Sequence, residues 1–294
     1  MSNTEVKMKV KKSSLGKRRL QKFCRNPMSV ISVIVILILV LASIFGPMLT
    51  GHDPNEMNIK LKYAKPSAEH LLGCDRLGRD LLTRLLIGGR WSLIIGILAS
   101  ASQNILGAIL GSIAGYFGKK TDTIIVTIAE IFQLFPTTLQ LIMCSAILGK
   151  ITIWFLLGMW TIFSWTGTMR TTRSNVLTVK NEPFVESCRA NGISSASIMF
   201  HHIIPNITGP IIISITMNVA AYVLAEAGLS YLGYGLDAST TPTWGNLLNV
   251  AKGMDVVLGQ PMQWIAPAVC LLALTLSVNY LGDGLRDAID ATTR

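Results

Sequence analysis

Apolar residues gather into six long runs separated by polar stretches. The first run, 28–49, has about 20 residues, enough to cross a hydrocarbon core about 30 Å thick. It follows a basic block and ends in Gly46-Pro47. A cleaved leader has an apolar core of only about 7–15 residues, so an uncleaved first span is expected. The second run, 91–116, sets Gly107, Gly111 and Gly115 four apart, on one helix face where another helix can approach closely. Gln103 and Asn104 fall near its middle, suited either to hydrogen bonds with neighbouring helices or to lining a polar path across the bilayer. The third run, 121–148, holds Glu130 and is interrupted by Pro136, which removes a backbone donor and kinks a helix. The fourth, 151–169, carries Trp154, Trp160 and Trp165. Indoles near span ends suit the membrane interface, and Trp160 suits packing. The fifth and sixth runs, 207–229 and 264–281, enclose a polar loop with Pro242-Thr243-Trp244-Gly245, and Glu226 falls near the outer end of the fifth.

Composition agrees with lipid as the solvent. Half the residues are hydrophobic, only 14% are charged, and the mean hydropathy is +0.50, whereas a soluble domain carries about 25% charge. The expectation is an all-α membrane protein with six transmembrane helices. The net charge of +10 is placed for topology, because nine of the 26 Lys and Arg residues precede the first run, from Lys7 to Arg25. Such a block stays on the cytoplasmic side and attracts anionic headgroups. With the N-terminus inside, inside segments hold 17 basic residues and outside segments 9, so both termini are expected in the cytoplasm. The chain divides into a basic tail (1–27), a first helix plus extracytoplasmic loop (28–90), and a core of five helices (91–290) with a cytoplasmic connector at 170–206. A short amphipathic surface helix is expected at 81–87.

Several chemistries are excluded. No nucleic-acid-binding motif occurs. The five cysteines are scattered without a CxxC pair, the four histidines form no HExxH pattern, and no Gly-rich loop ending in Lys-Ser/Thr cradles a phosphate. His201 and His202 are adjacent, and so diverge by about 100° on a helix. Neither catalytic nor metal-ligating residues are expected, and no cofactor.

The connector reads NEPFVESCRANGISSASIMFHHIIPN from Asn181 to Asn206. Asn181 or Glu182 can cap a helix with Pro183 in its first turn and Glu186 near the positive end of its dipole. Gly192 supplies a left-handed stop after about two turns. Ser194 or Ser195 can cap a second helix running to Ile203, with Pro205 at the entry to the fifth span. The result is either a slim helix–glycine–helix knob for a partner's groove or an amphipathic connector lying on lipid.

This segment resembles the EAA-type loop of binding-protein-dependent ABC importer permeases, with Glu186, Gly192, Ile204, Pro205 and Asn206 at the matching positions and Ser187 and Cys188 in place of the two alanines. Pro66-Ser67-Ala68-Glu69-His70, the Gly73 to Asp80 stretch, the 225–233 and 242–245 segments and Leu281 to Asp287 resemble the C-subunit type of dipeptide, oligopeptide and nickel permeases. The resemblance implies a type I importer fold in the cell membrane and a homologous B-type permease partner. It also implies two cytoplasmic ATPase subunits, which bind ATP and Mg, and an extracytoplasmic solute-binding protein. Glu186, Ser187, Cys188, Arg189, Ala190, Asn191 and Gly192 would form the helix that docks on an ATPase. The implied cargo is peptides, with nickel or a metal–chelator complex as the alternative. An ion-coupled secondary transporter is the competing class, and Glu130 its obvious coupling residue. Gln103, Asn104, Glu130, Pro136 and Glu226 are the candidates for the path or for helix packing.

Overall fold

The computed structural model describes residues 15–149, 151–249 and 253–290. Lys7, Lys9, Lys11 and Lys12 of the basic block, together with Lys150, Lys252 and Arg294, lie outside them. Among the described residues the chain is helical, with one isolated β-bridge between Cys74 and Asp80. The helices are α1 (Leu15–Arg25), α2 (Pro27–Thr50), α3 (Leu81–Phe117), α4 (Lys119–Gln133), α5 (Thr137–Leu148) and α6 (Ile153–Val179), then α7 (Pro183–Ala190), α8 (Ser195–Ser197), α9 (Ile204–Leu232), α10 (Trp244–Leu248), α11 (Met254–Gly259) and α12 (Met262–Asp290). Local chemistry sets several ends. Asn26 Oδ1 accepts the Met28 N–H at 3.1 Å with Pro27 at the first helical position, and Gly51 closes α2 with φ +69°. Asp80 opens α3 by accepting the Thr83 N–H at 2.7 Å.

All six apolar runs are helical. By length and composition, α2, α3, the continuous Ser195–Leu232 helix and α12 can each cross a membrane. The α4–α5 pair makes a fifth candidate, bent by 71° at the break holding Pro136. The helix α6 has 27 residues but a mixed composition, with a polar C-terminal half.

Two expectations about helix boundaries are corrected. The 81–87 segment is not a separate surface helix, because it is the first two turns of α3. At 37 residues α3 is about 55 Å long, which exceeds a hydrocarbon core of about 30 Å, so part of it stands outside. The second connector helix does not stop at Ile203. A π-helical turn, Ile198–Ile203, joins α8 directly to α9, and the wider turn absorbs Pro205 in the first turn of α9.

The helix α3 is the central post, packed chiefly against α6 and then α9, while α12 lies against α2 and α9. Gly107, Gly111 and Gly115 all face α6, as their spacing predicts. A Cβ at Gly107 would sit 2.6 Å from the Trp165 carbonyl oxygen, and one at Gly115 would sit 2.9 Å from that of Arg173. Backbone-to-backbone approach of this kind supplies the van der Waals contact that holds helices together in lipid. Trp160 is buried, as expected, and Trp154 is exposed. Trp165 corrects the interface expectation, since it is buried with Ala129 and Met169 and meets Phe132 edge-on.

Candidate functional site

The connector forms a small exposed knob. Glu182 occupies the N-cap position of α7 without a side-chain cap bond, Pro183 is the first helical residue, and Glu186 lies in the first turn. The chain turns at Gly192, whose φ of +75° is the left-handed value its place in the sequence demands. The Gly192 N–H donates to the Arg189 carbonyl at 3.0 Å and the Ile193 N–H to that of Cys188 at 3.1 Å. Ser194 Oγ then accepts the Ser197 N–H at 3.3 Å. Of the seven residues singled out from sequence, Glu186, Ser187, Arg189, Ala190, Asn191 and Gly192 are exposed and Cys188 is half-buried. Phe184 and Ile193 flank them as exposed apolar groups.

One side chain ties this knob to the helices. Val185 is fully buried among Tyr116 of α3, Val176 of α6, and Ile198, Ile203 and Ile207. Around it, Lys180 Nζ donates to the Tyr116 carbonyl at 2.6 Å, placing a cation at the negative end of α3. The Arg189 guanidinium lies over the Tyr116 ring at 5.8 Å. Arg173 in α6 donates to Asp122 in α4 at 2.6 Å. The knob therefore has an exposed outer face and a buried root shared by three long helices.

The remaining sequence candidates do not gather at one place. Asn104 is buried where α3, α6 and α9 meet. Its Nδ2 donates to the Ser100 carbonyl, and its Oδ1 accepts from Thr168 Oγ1 and Ser214 Oγ, each at 2.8 Å. Gln103 Oε1 accepts more weakly from Thr168 Oγ1, at 3.4 Å. These are helix-packing contacts. Glu130 is exposed on α4, and Pro136 is exposed at the α4–α5 bend. Glu226 is buried near the far end of α9, about 33 Å along the helix from its start at Ile204.

The comparisons with known proteins bear on the chain as a whole. Residues 107–294 match the family described as binding-protein-dependent transport system inner membrane component, and residues 14–66 match the N-terminal transmembrane domain of oligopeptide transport permease C. The chain belongs to this permease family. It is 33% identical to the oligopeptide transport system permease protein OppC of Bacillus subtilis (strain 168), over 98% of this chain and 93% of that one. To the dipeptide transport system permease protein DppC of Alkalihalophilus pseudofirmus it is 35% identical, over 90% and 86%. It is thus a multi-pass membrane permease of the peptide-transport C-subunit type, and its relatives are transport permeases rather than enzymes.

The permease also carries an interlocked cap at the end of α3 remote from the connector, which the sequence showed only as separate family-like segments. Asp75 is its centre. Asp75 Oδ1 accepts the Leu77 and Arg79 N–H groups at 2.8 and 3.0 Å, and Oδ2 accepts Arg79 Nε at 2.7 Å, with Arg84 Nε at 3.6 Å. Arg84 is fully buried and donates to the carbonyls of Pro54, at 2.9 Å, and Ala238, at 2.6 Å. Asp80 receives the Thr83 hydroxyl at 2.6 Å and pairs with His70 at 3.0 Å. Burial pushes the Asp80 carboxyl upward, but the Thr83 and His70 hydrogen bonds outweigh it and hold it below the usual carboxylate range.

The 225–233 and 242–245 segments close the cap. Glu226 Oε1 accepts from Ser230 Oγ at 2.6 Å and from Thr243 Oγ1 at 2.9 Å. Thr243 and Asn246 form a reciprocal capping box on α10. Trp244 is buried, with its indole N–H on the Leu85 carbonyl at 2.9 Å and its backbone N–H on Ser92 Oγ at 3.0 Å. A Cβ at Gly245 would meet the Glu226 carboxylate at 2.6 Å, so only glycine fits between α9 and α10 there. Gln263 of α12 joins by donating to the Cys74 carbonyl at 2.8 Å.

Proposed function

We propose that this permease is the C-type transmembrane subunit of an ATP-driven importer and that α7 is its coupling helix. In this reading six crossings, formed by α2, α3, the α4–α5 pair, α6, α9 and α12, place both termini and the connector in the cytoplasm. A homologous B-type permease completes the path, and an extracytoplasmic binding protein delivers cargo. Two ATPase subunits bind ATP and Mg below. Glu186 to Gly192 present the docking face, flanked by Phe184 and Ile193. The observation that carries the reading is Val185, because its burial against α3, α6 and the start of α9 makes the exposed knob a lever rather than a loose loop. When the ATPases close, a push on α7 passes through that contact into three packed helices. Close-packed interiors transmit such a displacement as rigid-body motion. The glycine seam makes α3 and α6 move as one.

Peptides are the proposed cargo, since the relatives quoted above are named for oligopeptide and dipeptide transport. Reconstitution tests this. Proteoliposomes holding both permeases and both ATPases, with the binding protein outside, are expected to accumulate labelled peptide only when ATP is supplied. Uptake by this chain alone under an ion gradient would contradict the proposal and favour a secondary transporter with Glu130 as its coupling group.

A further inference from the structure

A second cluster of side chains lies at the cap and takes no part in the coupling route. His52 follows the glycine that ends α2, His70 lies in the returning loop, and Asp80 caps α3, so three separate stretches of the crossover converge. One ligand atom from each lies within 4.8 Å of the other two. His70 Nδ1 is 3.0 Å from Asp80 Oδ1, the two imidazoles have centroids 4.8 Å apart, and His52 Nε2 is 3.1 Å from the Glu69 carbonyl oxygen. Asp53, Glu56 and Glu69 line the same recess, of about 120 Å³. With Asp80 they give its lining four acidic residues, and such a concentration of one sign draws in a cation.

We infer that His52, His70 and Asp80 form a binding site for one divalent transition-metal ion of the zinc class. Two imidazole nitrogens and one carboxylate oxygen are the donors that zinc prefers, whereas Mg²⁺ and Ca²⁺ demand oxygen throughout. At metal–nitrogen distances of about 2.0–2.1 Å, tetrahedral donors sit about 3.3 Å apart. The donors therefore close in by up to about 1.5 Å, a movement within reach of the half-buried His52 ring. His70 coordinates as the neutral imidazole, any proton displaced from the liganding nitrogen passing to solvent, and a water molecule fills the remaining position. Once bound, the ion clamps the end of α2 to the start of α3. The inference is independent of the cargo and of α7.

The test uses the full-length permease in detergent, stripped with a chelator and titrated with Zn²⁺ by calorimetry. One Zn²⁺ per chain is expected. Loss of a residue that only orients a ligand weakens a metal by about 10–100-fold, so His52→Ala is expected to weaken binding by about 100-fold or more, and His52→Gln likewise. The His201→Ala/His202→Ala double variant should bind as the parent does. With Co²⁺ as the probe, visible bands without thiolate charge-transfer absorption are expected, and they should vanish in His52→Ala. Binding below one equivalent, an unchanged affinity in both His52 variants, or thiolate bands from any of the five free cysteines would overturn the assignment.

Discussion

Replacing Asp75 by alanine is expected to destabilise the permease by about 3–5 kcal/mol, the range for removing one partner of a buried ion pair. Asp75 answers two buried guanidiniums, Arg79 and Arg84, with exposures of 5% and 1%. Without it both charges stay buried, and Arg84 keeps only the carbonyls of Pro54 and Ala238. The loop also loses the acceptor for its Leu77 and Arg79 N–H groups. The expected observation is a clear fall in the thermal midpoint of the purified protein and less of it in the membrane. Lys60→Ala in the same loop, an exposed side chain, should stay within about 0.5 kcal/mol of the parent. An Asp75→Ala protein that melts with the parent would show that the Asp75 network does not hold the cap together.

The second large effect falls on coupling. Gly192→Pro demands a φ near −65° where the chain holds +75°, and it removes the N–H that reaches the Arg189 carbonyl. Ala190→Lys leaves the backbone alone and sets a long charged side chain on the exposed face of α7. Both subunits are expected to reach the membrane, since neither site touches the packed helices. Transport should fall by about tenfold or more, equivalent to about 1.4 kcal/mol, while the ATPases continue to hydrolyse ATP. Measuring both rates in the same proteoliposomes separates this from simple loss of protein. Parental uptake by both variants would remove α7 from the coupling route.

The sequence made local features readable and long-range ones not. Hydrophobic runs gave the helices, the four-residue glycine spacing gave the α3 face, Pro136 gave the break in the third run, and Gly192 with Ser194 gave the knob. Each depends on neighbours a few residues apart. The start of α3 escaped because Leu81 to Ile87 includes Arg84, a charge that reads as surface. It is buried only because its acceptors come from Pro54 and from Ala238, 30 and 154 residues away. The role of Glu226 escaped for the same reason, as Thr243 lies across a loop. Trp165 looked interfacial by its place in the run, but α4 covers it. The convergence of His52 with His70 needs the 51–80 crossover to be folded first, and spacing along the chain gives no sign of it.

Cross-linking from the knob reveals what α7 touches in the assembled transporter. A single cysteine at Ala190, in a chain whose native cysteines are replaced, would be cross-linked in membranes that hold the whole transporter. One dominant product is expected, joining this permease to an ATPase subunit, with a yield that changes when ATP is added. Cross-links only to lipid, to the B-type permease or to the binding protein would contradict it.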